Sequence, residues 1–231
     1  MRRIFYAAVM LLLCSVSVWA EQTEGQRGKY DVKMAGLWDN WYVQAGLDMS
    51  LQNPYGYDFS KVFPNGKTFG VDVAAGRWFT PGLGLRAKFN WENGIPLFEN
   101  GHASWLAPMG QPGVNMDRGG YIALYGDIQF DIHNLFWGYN RERIWNFQLY
   151  PRAGVAYNFG SSKGTPILGV GFGNTFRIHR RVSLYLDAAY QMCSSGFIPV
   201  DTGTGPNSNG YFDINVGVQV NLGRWGFTRV Q

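Results

Sequence analysis

The stretch YFDINVGVQVNL, residues 211–222, alternates apolar and polar side chains from its second residue onward. One set of alternate positions is apolar: Phe212, Ile214, Val216, Val218, Val220 and Leu222. The positions between them are polar or glycine: Asp213, Asn215, Gly217, Gln219 and Asn221. A period of two is the period of a β-strand, whose successive side chains point to opposite faces. The stretch therefore predicts a strand with one apolar and one polar face.

Seven further stretches repeat this alternation, at residues 41–51, 68–79, 83–93, 121–133, 146–159, 166–178 and 182–192. A tilted strand needs about 9–11 residues to cross the hydrocarbon of a bilayer, and these stretches reach that length. In residues 83–93 one face carries Arg86, Lys88 and Glu92, which would face water in a soluble sandwich and the lumen in a barrel. An even number of such strands behind an export signal favours the barrel. We predict an all-β fold, an eight-stranded antiparallel up-and-down transmembrane β-barrel with a filled polar lumen.

Residues 1–20 have the features of a cleaved signal peptide: Arg2 and Arg3, an apolar core, and a cleavage site at Ala20. A transmembrane anchor is the alternative, but the apolar run is too short to span a bilayer comfortably. We predict a periplasmic lead-in at residues 21–39, the barrel at 40–223 and a C-terminal tail at 224–231. Export followed by a barrel predicts the outer membrane of a Gram-negative bacterium.

Charge and cysteine content exclude several classes of function. Of the 20 Lys and Arg residues, loss of Arg2 and Arg3 leaves 18 against 16 Asp and Glu. This near-neutral balance argues against a nucleic-acid partner. Cys193 is the only cysteine after residue 20, so no internal disulfide is predicted.

Short and long connections alternate along the chain, as in outer-membrane barrels, where short turns face the periplasm. The predicted periplasmic connections are 80–82, 134–145 and 179–181, and the predicted external loops include 52–66, 94–119 and 193–210. Three prolines in 94–119 predict that it lacks regular structure, and Pro151 predicts a local bulge because it lacks a ladder donor. Aromatic residues near strand ends predict interfacial girdles. They are Trp41, Trp78, Trp137 and Trp225 towards the periplasm, and Trp91, Tyr157 and Tyr190 towards the outside.

The predicted inward face is rich in charged residues. The set is Asp48, Asp72, Arg86, Lys88, Glu92, Asp127, Asp131, Arg152, Arg177, Asp187 and Asp213. Eight strands leave an interior only wide enough for side chains, and an unpaired buried charge is costly, so these charges are expected to pair. Two interpretations stay open: a structural plug held by salt bridges, and a narrow or gated ion path. Gly169, Gly171 and Gly173 are predicted to leave room for large inward neighbours.

Three segments resemble the OmpA/OmpX-type small outer-membrane barrels, in the form of a Bacteroides-type OmpA-like barrel without the peptidoglycan-binding domain. They are WFTPGLGLRAKFNW at 78–91, GYNRERIWNF at 138–147 and FRIHRRVSLYLDAAYQM at 176–192. Asn215, Gly217, Val220 and Leu222 match the assembly signal of that family. The resemblance implies recognition by the barrel assembly machinery, and outer-membrane lipid and lipopolysaccharide as partners. It does not extend to cell-wall anchoring.

A catalytic site is only weakly indicated. His102 and Ser104 lie two apart near Glu99 in the longest predicted loop, and some lipid A-modifying enzymes are also small barrels. Nucleophilic catalysis needs a base held against the hydroxyl, which such a loop does not provide. No metal-ligand spacing occurs, and no cofactor is predicted. We therefore favour a non-enzymatic surface barrel acting in envelope integrity or surface interaction through its loops. A narrow channel and a lipid A-modifying enzyme are the alternatives.

Overall fold

A computed structural model describes residues 36–53, 67–93, 97–99, 102–104, 120–159, 162–194, 197 and 208–227. The predicted signal peptide lies outside these residues, as do most of the predicted lead-in and most of the three long loops. None of the helices in this part of the chain is long and apolar enough to cross a membrane, which says nothing about crossing by strands.

Eight long strands form the closed barrel. They are β1 (Trp41–Asn53), β2 (Lys67–Thr80), β3 (Leu83–Glu92), β6 (Tyr121–Asp131), β7 (Trp145–Asn158), β8 (Lys163–Arg177), β9 (Val182–Ser194) and β10 (Ser208–Leu222). The remaining elements are the short strands β4 (Leu97–Glu99) and β5 (His102–Ser104) and the helix α1 (Ile132–Trp137). Around the wall the order is β1-β10-β9-β8-β7-β6-β3-β2. The predicted eight-stranded, antiparallel, up-and-down fold is confirmed.

The first and last barrel strands close the wall. β1 pairs with β10 from Trp41 opposite Leu222 to Asn53 opposite Gly210. Closure pairs the backbone groups that an open sheet would leave free along its edges. The alternating stretch at residues 211–222 is therefore part of the strand on which closure depends.

The two faces of the wall are reversed relative to a water-soluble protein. Leu47 on the outer face is 65% exposed, whereas its neighbour Asp48, on the inner face, is 2% exposed. The same alternation runs along β3 and β6, where apolar residues are outward and polar residues are buried. An apolar exterior around a polar interior suits a hydrocarbon surround rather than water.

The predicted fourth strand ends two residues early because a helix begins there. Asp131 has an extended backbone, and its carboxylate accepts a hydrogen bond of 2.8 Å from the backbone N–H of Asn134. An aspartate in this position caps a helix, so the chain turns into α1 instead of extending the strand to residue 133. The prediction that residues 121–133 are all strand was wrong at this end.

Two local predictions about prolines were also wrong. Pro151 pairs with Val170 in an unbroken β7–β8 register, and the β6–β7 ladder lacks pairs at Tyr150 and Pro151 but keeps the same register on both sides, so Pro151 interrupts one ladder without a bulge. Its missing donor is accommodated without adding a residue to the strand. The segment 94–119 contains the β4–β5 hairpin, in which Glu99 lies opposite His102. The sequence between them is Asn-Gly, the commonest dipeptide of two-residue hairpin turns, and it outweighs the nearby prolines.

Candidate functional site

The centre of the lumen is an ion-pair layer on three neighbouring strands. The register places Arg86 of β3 opposite Asp127 of β6, and Asp127 opposite Arg152 of β7. Arg86 Nη2 lies 2.8 Å from Asp127 Oδ2, and Arg152 Nε lies 2.7 Å from Asp127 Oδ1. All three side chains are fully buried, so water does not screen these charges.

Further ion pairs join β3 to the opposite wall and to the neighbouring strand β2. Arg86 Nη1 lies 2.6 Å from Asp187 Oδ2 on β9. Lys88 Nζ lies 3.3 Å from Asp72 Oδ2 on β2 and 3.7 Å from the same Asp187 oxygen. Lys88 also donates a hydrogen bond to Asn215 Oδ1 on β10. These contacts link four strands, β2, β3, β9 and β10, through the middle of the barrel.

Tyrosine rings fill the space between the charges. The Arg152 guanidinium lies 4.4 Å from the ring centroid of Tyr125, and that of Arg86 lies 4.7 Å from the centroid of Tyr150. A Cβ on Gly171 would lie 2.5 Å from the Tyr150 ring. The predicted role of this glycine, to leave room for a large neighbour, is confirmed.

The half of the lumen towards β4 and β5 holds carboxylates bound mainly by neutral donors. Glu92 accepts hydrogen bonds from Thr68 Oγ1 at 2.8 Å and Ser50 Oγ at 3.3 Å. Ser50 Oγ also lies 2.5 Å from Asp213 Oδ1. Asp48 accepts hydrogen bonds from the side-chain amides of Asn90 and Asn215. Asp213 has a cation at the longer distance of 3.7 Å, Arg152 Nη1.

The lumen therefore holds more acidic than basic groups. The bases are Arg86, Lys88 and Arg152, and the acids are Asp48, Asp72, Glu92, Asp127, Asp187 and Asp213. All nine are at most 2% exposed and lie on the inner face that the alternation predicts. The predicted salt bridges are present in the central layer, whereas hydrogen bonds to neutral side chains dominate around Asp48 and Glu92.

A phenylalanine packs against the lumen tyrosines at this end. Phe197, which follows β9, is 1% exposed, and its ring lies 5.4 Å from that of Tyr121 and 6.4 Å from that of Tyr211. Its carbonyl accepts a hydrogen bond of 2.8 Å from Asn158 Nδ2. Cys193 belongs to the same buried cluster. Sequence reasoning missed Phe197, because a single aromatic residue in a predicted loop has no period to reveal its direction.

Side-chain amides and one indole fill the opposite end. Gln129 Nε2 donates to Gln148 Oε1 at 3.2 Å, and Gln44 Nε2 donates to Gln219 Oε1 at 3.0 Å. Trp78 is also buried here. The prediction that Trp78 belongs to the interfacial girdle was wrong, because its position in β2 has the inward parity of Asp72 and Ala74.

Besides Asp48 and Glu92, two more of the eleven predicted lumen charges lie outside the ion-pair network. Arg177 is at the end of β8, and its guanidinium donates to the backbone carbonyls of Arg141 and Glu142. It has the inward parity, but it lies beyond the lumen at the barrel mouth, where carbonyls are its nearest acceptors. Asp131, although buried, serves as the cap of α1. Arg177 and Asp131 have the predicted inward parity, but the predicted pairing within the lumen was wrong for both.

The residues of the predicted assembly signal all lie on β10. Asn215 is buried in the lumen and hydrogen-bonded to Asp48, and Gly217 has the same inward parity. Val220 and Leu222 are exposed on the outer face. Recognition by the assembly machinery stays a prediction.

His133 of α1 lies at the barrel mouth that holds the chain ends, where a hydrogen bond and a ring contact fix its side chain. Its Nδ1 accepts a hydrogen bond of 3.0 Å from the backbone N–H of Phe147, so this nitrogen carries no proton. Burial lowers the pKa of His133 from its ordinary value, and the nearby positive charge of Arg143 lowers it further. The neutral ring also packs edge-on against Trp145, with 4.7 Å between ring centroids.

The described residues bring together no catalytic or metal-binding group. For His102 and Ser104 the structure describes only the backbone of the β4–β5 hairpin. No group of three or more His, Cys, Asp or Glu side chains that could hold a metal ion occurs in the described ranges.

Comparison with models of known protein families gives no match, and neither does comparison with curated protein sequences. Among solved structures, the chain is similar to Neisserial surface protein A, with 14% identity, 79% of this chain and 97% of that chain covered, and a TM-score of 0.46. It is also similar to the outer membrane protein OprG from Pseudomonas aeruginosa, with 7% identity, 81% and 98% covered, and a TM-score of 0.41. A third similar structure is Ail, the attachment invasion locus protein of Yersinia pestis, in complex with the heparin analogue sucrose octasulfate. There the identity is 16%, the coverage 78% and 99%, and the TM-score 0.37.

Proposed function

We propose that this chain is a non-enzymatic outer-membrane barrel with a sealed lumen, which acts at the cell surface through the segments that join its strands at the external end. Its role there is in envelope integrity or surface interaction. The observation that carries the proposal is the fully buried layer of Arg86, Asp127 and Arg152 across the middle of the barrel. A wall braced in this way is a rigid support for the segments at its ends.

The apolar outer face supports the membrane location. Exposed aliphatic and aromatic residues cover the wall, and Trp91, Tyr157 and Tyr190 are exposed near one end of the strands. Aromatic residues at that height suit the boundary between hydrocarbon and headgroups. Outer-membrane lipid and lipopolysaccharide are the proposed surroundings, and the barrel assembly machinery is the proposed partner during insertion.

Ion conductance tests the sealed lumen. Residues 21–231 are refolded into lipid, a heat-shifted gel band verifies the barrel, and single-channel current is recorded in a planar bilayer. A sealed lumen gives no openings from verified barrels. Steady openings in the unaltered protein that disappear in Arg152→Gln, but persist in the exposed-site control Glu142→Gln, would overturn the proposal.

The role of the external segments needs a separate test. Residues 97–104, which include the β4–β5 hairpin, are replaced by a Gly-Ser linker of equal length. We expect an unchanged heat-shifted band and the same loss of envelope integrity or surface binding as in cells without the protein. A replacement that behaves like the unaltered protein in both surface assays would remove the role from this segment.

A narrow cation path is the second candidate, and the excess of carboxylates in the lumen favours it. The six acids outnumber the three bases, and three of the acids lie together on the Phe197 side. If this candidate holds, the recorded openings select for cations, and Asp48→Asn lowers that selectivity.

A further inference from the structure

Basic charge outside the lumen is concentrated at the barrel mouth that holds the chain ends. In the described part of the chain, this mouth carries Arg77, Arg141, Arg143, Arg177, Arg180, Arg181 and Arg224, whereas the acidic residues there are Asp39, Asp131 and Glu142. By sequence, the connections at the other mouth are balanced, with Lys61, Lys67, Arg118 and Lys163 against Asp58, Glu99, Asp117 and Asp201. The excess of arginine is therefore a property of one mouth only.

These arginines form a continuous arc on neighbouring strands. The Arg224 carbonyl accepts a hydrogen bond from the backbone N–H of Asn40, and that of Arg181 accepts one from Asn221. The Arg177 guanidinium binds the loop that carries Arg141. The arc thus follows the rim from β2 and β1, across β10 and β9, to the loop before β7. We call it the arginine arc.

The outer part of the arginine arc is exposed. Arg141, Arg180, Arg181 and Arg224 are exposed to solvent, and none of the ion pairs between described residues includes them. Their guanidinium groups are therefore available to an external anion. A guanidinium fork matches the oxygens of a phosphate group in shape as well as charge.

Exposed aromatic residues lie in the same band. Trp38 is 79% exposed, and Phe136 and Trp137 of α1 and Trp145 of β7 are also exposed. The Arg77 guanidinium lies 5.9 Å from the centroid of the Trp41 ring on the outer face. Tryptophan with arginine at one height is the composition of a protein surface between hydrocarbon and lipid phosphates.

We propose that the arginine arc binds the phosphates of anionic phospholipids in the leaflet around the mouth that holds the chain ends. The inference rests on the membrane location proposed above. A lipid explains the exposed rings and the basic groups together, because the rings enter the acyl region while the guanidinium groups meet the phosphates. An acidic soluble partner would match the charge but leave the rings uncovered.

Lipid-selective quenching of tryptophan fluorescence tests the arginine arc. The refolded barrel is placed in mixed vesicles in which either phosphatidylglycerol or phosphatidylcholine carries brominated acyl chains. We expect stronger quenching by brominated phosphatidylglycerol, which shows that this lipid is enriched at the protein surface. Each arginine near the membrane surface strengthens the association of the protein with anionic lipid by about fivefold, and added salt weakens this attraction.

Matched variants assign the preference to this mouth. Arg141→Gln, Arg180→Gln, Arg181→Gln and Arg224→Gln in one chain remove the preference. Single Arg224→Gln lowers it, whereas Lys163→Gln, which removes one charge at the other mouth, leaves it unchanged. Equal quenching by the two lipids in the unaltered protein overturns the inference. So does a preference for brominated phosphatidylglycerol that persists in the variant with all four substitutions. If the protein gives no heat-shifted band and neither lipid quenches its fluorescence, the result instead contradicts the proposed membrane location.

Discussion

Replacing Asp127 with asparagine removes the shared acid of the central layer. Asp127 Oδ2 accepts from Arg86 Nε at 2.8 Å and from Arg152 Nη2 at 3.1 Å, while Oδ1 accepts from Arg152 Nε at 2.7 Å. In Asp127→Asn, Arg86 keeps Asp187 at 2.6 Å, but Arg152 keeps only Asp213 at 3.7 Å. The variant therefore leaves a fully buried guanidinium almost without compensation.

The expected cost in the free energy of unfolding is about 3–5 kcal/mol, the range for breaking a buried ion pair by removing one partner. Because about 1.4 kcal/mol is a factor of ten, the unfolding equilibrium constant rises by roughly two to three and a half powers of ten. Glu142→Gln is the matched control, since it makes the same chemical change at an exposed site. Its effect is expected to stay within about 0.5 kcal/mol.

The assay is urea unfolding in phospholipid vesicles, followed by tryptophan fluorescence and by the heat-shifted gel band. Asp127→Asn leaves the Arg152 guanidinium without its main partner, and adding Arg152→Gln removes that unpaired charge. The double variant is therefore expected to be destabilised by less than the sum of the two single changes. If Asp127→Asn unfolds with the same midpoint and slope as Glu142→Gln, the lumen is hydrated and the reasoning fails.

Three further outcomes are expected. Gly171→Ala destabilises the barrel by about 1–3 kcal/mol in the same unfolding assay, because the new Cβ would lie 2.5 Å from the Tyr150 ring. Gly126→Ala is the control, since the atom nearest its Cβ is 3.8 Å away, and equal effects would contradict the tight packing. Phe197→Ala speeds labelling of Cys193 by a membrane-impermeant thiol reagent, because Phe197 and Cys193 share one buried cluster. Phe136→Ala, at the other mouth, leaves the labelling rate unchanged, and a slow rate in both variants would contradict the shielding of Cys193 by Phe197. The unaltered protein loses stability as pH falls below about 6.5, because the pKa of His133 is lower in the folded than in the unfolded state. His133→Gln removes this part of the pH dependence, and identical pH profiles for the two proteins would refute it.

The wall could be predicted because alternation repeats over many residues. A strand in a barrel meets hydrocarbon on one face and polar neighbours on the other, so each side chain in residues 211–222 reports its own direction. The nine charges buried in the lumen follow from that parity alone. Their pairing does not, because contacts such as Arg86 with Asp187 depend on strands that lie far apart in the chain.

The predictions were wrong at residues where the inward or outward direction of the side chain does not by itself determine its neighbours. Arg177 has the inward parity, but it lies past the lumen and binds carbonyls of a loop. Trp78 was assigned by residue type to an interface, although its parity points inward. Asp131 ends a strand by capping a helix, a role that depends on the backbone of Asn134. In each case a single local contact, rather than a repeated pattern, decides the outcome.

The pairing of β1 with β10 also has a consequence for the order of assembly. Trp41 lies opposite Leu222, 181 positions later, so this seam forms only when the first and the last strand are both present. The other barrel seams join strands that follow one another along the chain, except that the β4–β5 hairpin lies between β3 and β6, so they close shorter loops and have a smaller entropic cost. A nascent chain can therefore collect hairpins early, but it becomes a finished cylinder in one late step. A chain cut before residue 208 lacks β10, so it cannot close the wall through this pairing.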